Sequence, residues 1–210
     1  MSSGPDMQAL DRLMDSAPVI PVLTINDVGK AVPLAATLVT TGLAVLEVTL
    51  RTPTALESIR RIAREVPEAL VGAGTVLCSD DLSRVADAGA RFAISPGATT
   101  ALYQRARVLE LPYLPGVATA GEVLVGREAG WTRFKLFPAA ASGGIALLKS
   151  FYGPLPDVSF CPTGGIGADN FRDYLALPNV RCVGGSWMVP TEALQAADWS
   201  RIEQLARDCL

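Results

Sequence analysis

The sequence predicts an α/β fold: a single (β/α)8 TIM barrel that occupies residues 1–210 as one domain. Eight short apolar runs recur at regular spacing along the chain, and segments with helical periodicity lie between them. Alternating strands and helices form parallel sheets, and eight parallel strands close into a barrel. The length of 210 residues suits one domain near the short end of this fold, and no linker marks a second domain.

Each apolar run is predicted to form one strand; in order they are Val19–Ile25, Val45–Leu50, Leu70–Val76, Phe92–Pro96, Tyr113–Val117, Arg133–Pro138, Val158–Thr163 and Val180–Trp187. An extra helix is expected ahead of them, over Pro5–Ser16, so that residues 1–16 cap the barrel. Asp80 and Asp81 suit the first turn of a later helix that Gly89 would end. The N-caps predicted for further helices are Thr99, Thr119 and Asp169.

The alternative architecture is a doubly wound open sheet that binds a dinucleotide. Its fingerprint requires a third glycine, whereas Gly72-Ala73-Gly74 is followed here by Thr75-Val76-Leu77. The phosphate-binding P-loop motif is missing from the sequence as well. The closed barrel is therefore the preferred prediction.

Composition restricts the class of protein. With 50% hydrophobic and 19% charged residues, the chain is predicted to fold rather than to be disordered. The net charge of −3 and the scattered arginines argue against a nucleic-acid partner, and the uncharged stretch Ala31–Leu46 is too short to span a membrane. The four cysteines form no CxxC pair, which indicates reduced thiols in a cytoplasmic protein.

The sequence contains no histidine, and this excludes several catalytic classes. A Ser-His-Asp triad, a Cys-His pair and a histidine-bound zinc ion all need imidazole. If the protein is an enzyme, its proton transfers use carboxylates, lysine, tyrosine, cysteine or water. Lysine chemistry has only three candidates, Lys30, Lys135 and Lys149.

Charged residues stand inside two predicted strands. On the second strand Glu47, Thr49 and Arg51 alternate and so share one face, and Lys135 lies at the centre of the sixth. One interpretation is structural: Glu47 and Arg51 form an ion pair, and Lys135 extends its amine to water. The other is catalytic, because an apolar interior favours the neutral form of an amine, which can form a Schiff base with a ketone. Lys30 and Lys149 lie in helical segments that we expect to face solvent.

Paired glycines follow the seventh and eighth strands, at Gly164-Gly165 and Gly184-Gly185, and Ser186 comes next. Glycine lets backbone N–H groups approach an anion, and the loops after these two strands form the phosphate site of many barrel enzymes. The alternative is that the glycines only make tight turns. Two pairs at equivalent places favour phosphate.

Together these residues describe a lysine-dependent aldolase. Arg51 can hold a small carboxylate, Glu47 can move protons, and an iminium on Lys135 can accept electrons when a neighbouring carbon–carbon bond breaks. The substrate predicted in this way is a small-molecule 2-keto acid with a phosphate at its far end.

The sequence resembles the 2-keto-3-deoxy-6-phosphogluconate (KDPG) and 4-hydroxy-2-oxoglutarate (KHG) aldolase family through nearly its whole length. The matching stretches, in the family's order, are Val45–Thr52, Val71–Val76, Phe92–Gly97, Phe134–Ala139, Phe160–Ile166 and Val183–Trp187. The resemblance implies a (β/α)8 barrel, a homotrimer and a cytoplasmic location. One departure stands in the loop after the sixth strand, where Ala140 replaces the glutamate that family members often carry, which bears on loop contacts and aldehyde preference.

The resemblance also implies a role for each matching residue. Lys135 would form the Schiff base, and Glu47 would be the general acid and base. The substrate-binding residues it implies are Arg51 and Thr75 for the pyruvate carboxylate, Thr163 for a substrate hydroxyl, Gly164, Gly165, Gly184 and Ser186 for the phosphate, and Pro96 and Phe137 for the pocket wall.

The predicted activity is that of a class I aldolase, a lyase of the Entner–Doudoroff pathway that cleaves 2-dehydro-3-deoxy-6-phosphogluconate to pyruvate and glyceraldehyde 3-phosphate. It requires neither a metal nor an organic cofactor. An alternative is cleavage of 4-hydroxy-2-oxoglutarate to pyruvate and glyoxylate. Two further alternatives are a phosphosugar isomerase or epimerase that uses Glu47 alone, and a phosphate-binding barrel without catalysis. Neither of the last two predicts a covalent adduct with pyruvate.

Overall fold

The computed structural model describes residues 4–210, which form an α/β fold around a curled parallel sheet. Its strands are β1 (Val19–Leu23), β2 (Val45–Thr49), β3 (Leu70–Gly74), β4 (Ala93–Ile94), β5 (Tyr113–Leu114), β6 (Gly116–Val117), β7 (Arg133–Leu136), β8 (Ser159–Pro162) and β9 (Val183–Gly185). They pair in the orders β5-β4-β3-β2-β1-β9 and β6-β7-β8. Every strand pair is parallel, so the carboxyl ends of the strands lie along one edge.

Each of the eight predicted runs contains a strand, and the fifth contains two. Pro115 divides that run into β5, which pairs with β4, and β6, which pairs with β7. Proline has no N–H to donate to a ladder, but its carbonyl still accepts a 2.9 Å hydrogen bond from the Lys135 N–H. Isolated bridges Phe160↔Val180 and Thr163↔Gly184 link the β8 segment to the β9 segment.

The helices cover the outside of the sheet. They are α1 (Met7–Asp15), α2 (Ala31–Thr40), α3 (Ala55–Glu65), α4 (Ser79–Asp87), α5 (Thr100–Leu109), α6 (Ala120–Glu128), α7 (Gly144–Tyr152), α8 (Phe171–Leu175), α9 (Thr191–Ala196) and α10 (Trp199–Arg207). Their apolar faces pack against the sheet in one continuous buried cluster. No helix in the described part of the chain is long and apolar enough to cross a membrane.

Most of the predicted helix ends are confirmed. Thr99 and Thr119 are N-caps, and Thr119 forms a reciprocal capping box with Glu122. Asp80 and Asp81 lie in the first turn of α4, and Gly89 follows its end with a φ of +87°.

The prediction of Asp169 as an N-cap is wrong. The helix α8 begins after Asn170, whose side-chain oxygen accepts from the Gly167 N–H at 2.9 Å. The same side chain donates to the Gly165 carbonyl at 3.1 Å. The Asn170 oxygen closes a tight turn, which places Asn170 directly before α8. Its amide group also holds the end of the loop that contains Gly164 and Gly165.

The helix predicted within residues 1–16 is present as α1, while residues 1–3 lie outside the described part. Two of its aspartates bind arginines at the amino ends of distant strands. Asp11 accepts from Arg133 at 2.5 Å, and Asp15 pairs with Arg181. Asp11 also lies 2.7 Å from the Arg181 guanidinium. The helix is therefore held to the edge of the sheet opposite the carboxyl ends of the strands.

Candidate active site

Glu47 and Lys135 meet inside the curled sheet although they are 88 residues apart in the chain. The Lys135 Nζ donates to the Glu47 Oε1 at 3.0 Å, and the two side chains are only 7% and 2% exposed. Glu47 lies on β2 and Lys135 on β7, strands that do not pair with each other. Their contact therefore crosses the interior of the sheet, and the ion pair of Glu47 with Arg51, the structural alternative, is not formed.

A cavity of about 360 Å³ opens beside this pair, at the carboxyl ends of the strands. All eleven residues predicted for the site line it: Glu47, Arg51, Thr75, Pro96, Lys135, Phe137, Thr163, Gly164, Gly165, Gly184 and Ser186. A pocket at this edge is the usual position of a barrel enzyme's active site. The predicted residues, drawn from several separate strands and loops, are thus brought together in one place.

Four lining residues were not predicted for the site: Val22, Thr49, Ile166 and Gly185. The alternation of side chains along β2 places Thr49 on the same face as Glu47. This alternation is the signal in the sequence from which Thr49 could have been predicted as a site residue. In the structure Thr49 is 1% exposed and donates from its hydroxyl to the Leu23 carbonyl at 2.9 Å. Val22 pairs in register with Glu47 on the neighbouring strand and supplies apolar wall.

Arg51 and Thr75 lie at the ends of β2 and β3. Arg51 is exposed and forms no ion pair with any carboxylate in residues 4–210, so its guanidinium is available to an anion. Thr75 has a φ of +58°, which is strained for a β-branched residue by about 1–3 kcal/mol. Such strain is concentrated at functional sites, and here it occurs where Thr75 lines the cavity.

The glycine loops have the conformation that close approach to a ligand requires. Gly164 and Gly165 have φ values of +99° and +74°, which side-chain-bearing residues rarely adopt. A Cβ on Gly184 would lie 2.3 Å from the Thr163 hydroxyl oxygen. The Gly165 N–H donates no hydrogen bond within residues 4–210, so it is free to bind an anion.

Thr163 contributes an unsatisfied polar group. Its hydroxyl oxygen is buried and has no hydrogen-bond partner in the described structure, although the residue lines the cavity. A buried hydroxyl without a hydrogen-bond partner destabilises the fold, unless a bound ligand supplies that partner. A substrate hydroxyl is a suitable partner. The wall nearby is aromatic, since the Phe137 ring centre lies 5.5 Å from the Lys135 Nζ.

The other two lysines lie outside this cavity. Lys149 is exposed on α7, as predicted. Lys30 ends a short 3-10 helix, Val28–Lys30, and is only half-exposed, so the expectation that it faces solvent is only partly correct. Its Nζ donates to the Gln195 carbonyl at 2.6 Å.

The fold and this site define a class of protein: an α/β enzyme that pairs a buried amine with a carboxylate beside a glycine-rich loop. Comparisons with known proteins support this class. The family model described as KDPG and KHG aldolase matches residues 10–205. The KHG/KDPG aldolase of Escherichia coli is 50% identical over 200 residues, which span 95% of this chain and 94% of the relative.

Two solved structures are also similar. KDPG aldolase from Legionella pneumophila, captured with pyruvate as a covalent carbinolamine, has a TM-score of 0.92 and 48% identity, covering 94% of this chain and 96% of that one. The Zymomonas mobilis aldolase with 3-phosphoglycerate has a TM-score of 0.92 and 47% identity, covering 97% and 95%. The chain belongs to the KDPG and KHG aldolase family.

Proposed function

We propose that the protein is a class I aldolase that cleaves 2-dehydro-3-deoxy-6-phosphogluconate to pyruvate and glyceraldehyde 3-phosphate. The observation that carries the proposal is the 3.0 Å contact between the Lys135 Nζ and the Glu47 Oε1, beside a cavity lined by a glycine-rich loop. The covalent carbinolamine of pyruvate in the Legionella relative and the phosphorylated ligand of the Zymomonas relative support both halves of the substrate.

Lys135 begins the reaction as a nucleophile. Glu47 lies within hydrogen-bond reach and accepts a proton from the ammonium, and the free amine then attacks the C2 ketone of the substrate. The protonated Glu47 gives its proton to the carbinolamine hydroxyl, which leaves as water, and this yields the protonated imine, or iminium, and restores the Glu47 carboxylate. This cation is the electron acceptor for the next step.

Glu47 then moves the remaining protons. Its carboxylate takes the C4 hydroxyl proton, directly or through a water molecule, as the C3–C4 bond breaks and its electron pair enters the iminium. Glyceraldehyde 3-phosphate leaves, and an enamine of pyruvate remains on Lys135. The protonated Glu47 returns its proton to C3, and water hydrolyses the regenerated iminium to pyruvate and the free lysine.

The other cavity residues hold the two ends of the substrate. We assign Arg51 and Thr75 to the carboxylate next to the ketone, because the guanidinium is unpaired and suits bidentate binding. Thr163 binds a substrate hydroxyl with its orphaned oxygen. The terminal phosphate belongs to the glycine loops, at Gly164, Gly165, Gly184 and Ser186, and the walls are Pro96 and Phe137.

A second substrate is 4-hydroxy-2-oxoglutarate, which yields pyruvate and glyoxylate at the same amine. The name of the Escherichia coli relative, KHG/KDPG aldolase, favours this dual activity. The isomerase and the non-catalytic barrel are less well supported, because neither gives Lys135 a covalent task.

The experiment that tests the proposal is trapping of the Schiff base. The protein is incubated with pyruvate, reduced with borohydride and mapped by peptide mass spectrometry. We expect one reduced pyruvyl group, on the peptide that contains Lys135. An unmodified chain, or equal labelling of Lys30 and Lys149, would overturn the proposal.

We further propose that residues 1–210 form one closed eight-stranded barrel capped by the N-terminal helix, in a cytoplasmic homotrimer. The bridges between the β8 and β9 segments and the anchoring of α1 support the closure. Among residues 4–210, six large apolar side chains are exposed and suit contacts between subunits: Leu77, Val108, Leu124, Val125, Tyr152 and Leu210. Sedimentation equilibrium should give about three times the chain mass of 22.0 kDa, and a mass near one chain would contradict the trimer.

A further inference from the structure

A second cavity adjoins the candidate active site at the carboxyl end of β1. This β1 cavity has a volume of about 280 Å³ and shares Val22, Arg51 and Ser186 with the cavity of the candidate active site, so the two lie side by side at these residues. Its outer walls come from the segment after β1 and from α9, and include Thr24, Asp27, Lys30, Thr191, Leu194 and Gln195. None of these six residues takes part in the proposed reaction.

The β1 cavity has one positive charge that the proposed reaction does not use, that of Lys30. Lys30 and Arg51 both line it, and neither forms an ion pair with a carboxylate in residues 4–210. The Lys30 ammonium donates one bond, to the Gln195 carbonyl, which leaves two of its three protons for a ligand. Asp27 is the one carboxylate in the wall, and one of its oxygens already accepts from the Gly29 N–H at 2.8 Å.

The rest of the wall is suited to a carbon chain that ends in an anion. Leu23, Ile25 and Val189 supply apolar surface, while the hydroxyls of Ser186 and Thr191 can donate to phosphate oxygens. Ser186 also lines the glycine-loop site, so a ligand that extends past Ser186 enters the β1 cavity directly. The wall therefore continues the substrate path towards Lys30.

We propose that the β1 cavity is a subsite for the anionic end of substrates longer than the six-carbon phosphorylated keto acid, and that Lys30 determines specificity there. This inference rests on the proposed aldolase function. In the direction of synthesis, the enamine of pyruvate on Lys135 attacks the aldehyde carbon, and a C–C bond forms as the π bond of the aldehyde C=O breaks. The aldehyde oxygen takes the proton of Glu47, and water then hydrolyses the resulting iminium to release the product from Lys135. An acceptor with one more carbon than glyceraldehyde 3-phosphate places its phosphate nearer Lys30.

The test compares three aldehyde acceptors with pyruvate: glyceraldehyde 3-phosphate, erythrose 4-phosphate and unphosphorylated erythrose. The quantity compared is the ratio of kcat/KM for erythrose 4-phosphate to kcat/KM for erythrose. We expect Lys30→Met to lower this ratio about tenfold, the effect of losing one hydrogen bond from a charged group. Lys30→Arg keeps the positive charge and should retain most of the ratio. Lys149→Met, which removes an exposed lysine outside both cavities, is the matched control and should leave the ratio unchanged.

Failure of the subsite and failure of the aldolase give different results. If pyruvate forms no adduct on Lys135, the proposed function is wrong. The subsite is tested once the adduct forms and glyceraldehyde 3-phosphate is condensed. If Lys30→Met then changes kcat/KM for erythrose 4-phosphate and for erythrose by the same factor, or changes neither, the proposed subsite is wrong. Loss of the ratio in Lys30→Arg to the same extent as in Lys30→Met would also contradict a role for the charge.

Discussion

At the scale of single residues, Glu47 and Lys135 bury one charge of each sign inside a sheet, and each is tolerated there because of the other. A pair that served only stability could be replaced by apolar side chains at little cost. Here the pair borders a cavity of about 360 Å³ rather than a filled core. The two groups can therefore exchange a proton with each other and with a ligand, which packed apolar residues cannot do.

Glu47→Gln keeps the size of the side chain and removes its ability to accept a proton. We expect kcat for cleavage of 2-dehydro-3-deoxy-6-phosphogluconate to fall by about 10²–10⁴-fold, the usual contribution of a general acid or base. Steady-state kinetics measures this fall, with Glu57→Gln, an exposed glutamate on α3, as the control. A kcat within a few-fold of the unmodified protein, at equal folded fraction by circular dichroism, would remove Glu47 from the mechanism.

The site residues differed in how far the sequence could predict them. Glu47 and Lys135 were identifiable because a charge inside an apolar strand is rare. Their direct contact was not, since it depends on how two unpaired strands face each other across the sheet. A structural pair of Glu47 with Arg51 was one interpretation of their shared face, but Arg51 lies past the end of β2, where it is exposed.

At the scale of elements, the existence of each strand was predictable, and its limits were not. An apolar run shows which residues of a strand are buried. The first and last residues of the strand are instead set by the hydrogen bonds to its neighbours, which hydrophobicity does not show. The fourth run, Phe92–Pro96, shortens to β4, and the fifth is divided at Pro115, which has no N–H for its neighbour. Asn170 in place of Asp169 shows the same limit, because the start of α8 depends on the turn that the Asn170 side chain closes with the Gly167 N–H, and the sequence does not show that turn.

The loop after β8 gives a prediction at this scale. Gly165 has a φ of +74°, and a Cβ there would lie 2.4 Å from the Ala140 Cβ, so Gly165→Ala must displace one loop or the other. If the loop binds phosphate, kcat/KM for the phosphorylated substrate should fall about tenfold or more, while that for 4-hydroxy-2-oxoglutarate changes far less. Gly153→Ala, at a glycine with no neighbour within 4 Å of the added carbon, is the control. Equal losses for both substrates would argue against a phosphate site.

At the scale of the whole molecule, α1 joins parts of the sheet that are distant in sequence. Its Asp11 and Asp15 bind Arg133 at the start of β7 and Arg181 just before β9. These strands carry Lys135 and Gly184 towards the opposite edge, where the cavity opens. No motif in the sequence indicated these contacts, since ion pairs between a terminal helix and strand ends depend on the completed fold.

This link makes the stability of the molecule depend on pH. Hydrogen bonds from Arg181 lower the pKa of the Asp15 carboxyl from its ordinary value of 3.8. A carboxylate with a lower pKa in the folded state stabilises the fold at pH values above 3.8, and that contribution is lost as the pH falls through the lower, folded pKa. Because Asp15 is half-exposed, the contribution is that of a surface pair.

Asp15→Asn should therefore lower Tm at neutral pH by about 1–4 °C, the shift that a pair worth under 1 kcal/mol gives a chain of this length. As the pH falls below 3.8 and through the lower pKa of the folded state, the Asp15 carboxylate of the unmodified protein gains a proton, so the difference in Tm between the two proteins should shrink. Thermal unfolding followed by circular dichroism between pH 7 and about pH 3 measures this. Asp87→Asn, at an exposed aspartate without an ion pair in the described structure, should show no such convergence. A Tm difference for Asp15→Asn that stays constant over the whole range would mean that the pairing of α1 with Arg181 does not stabilise the fold.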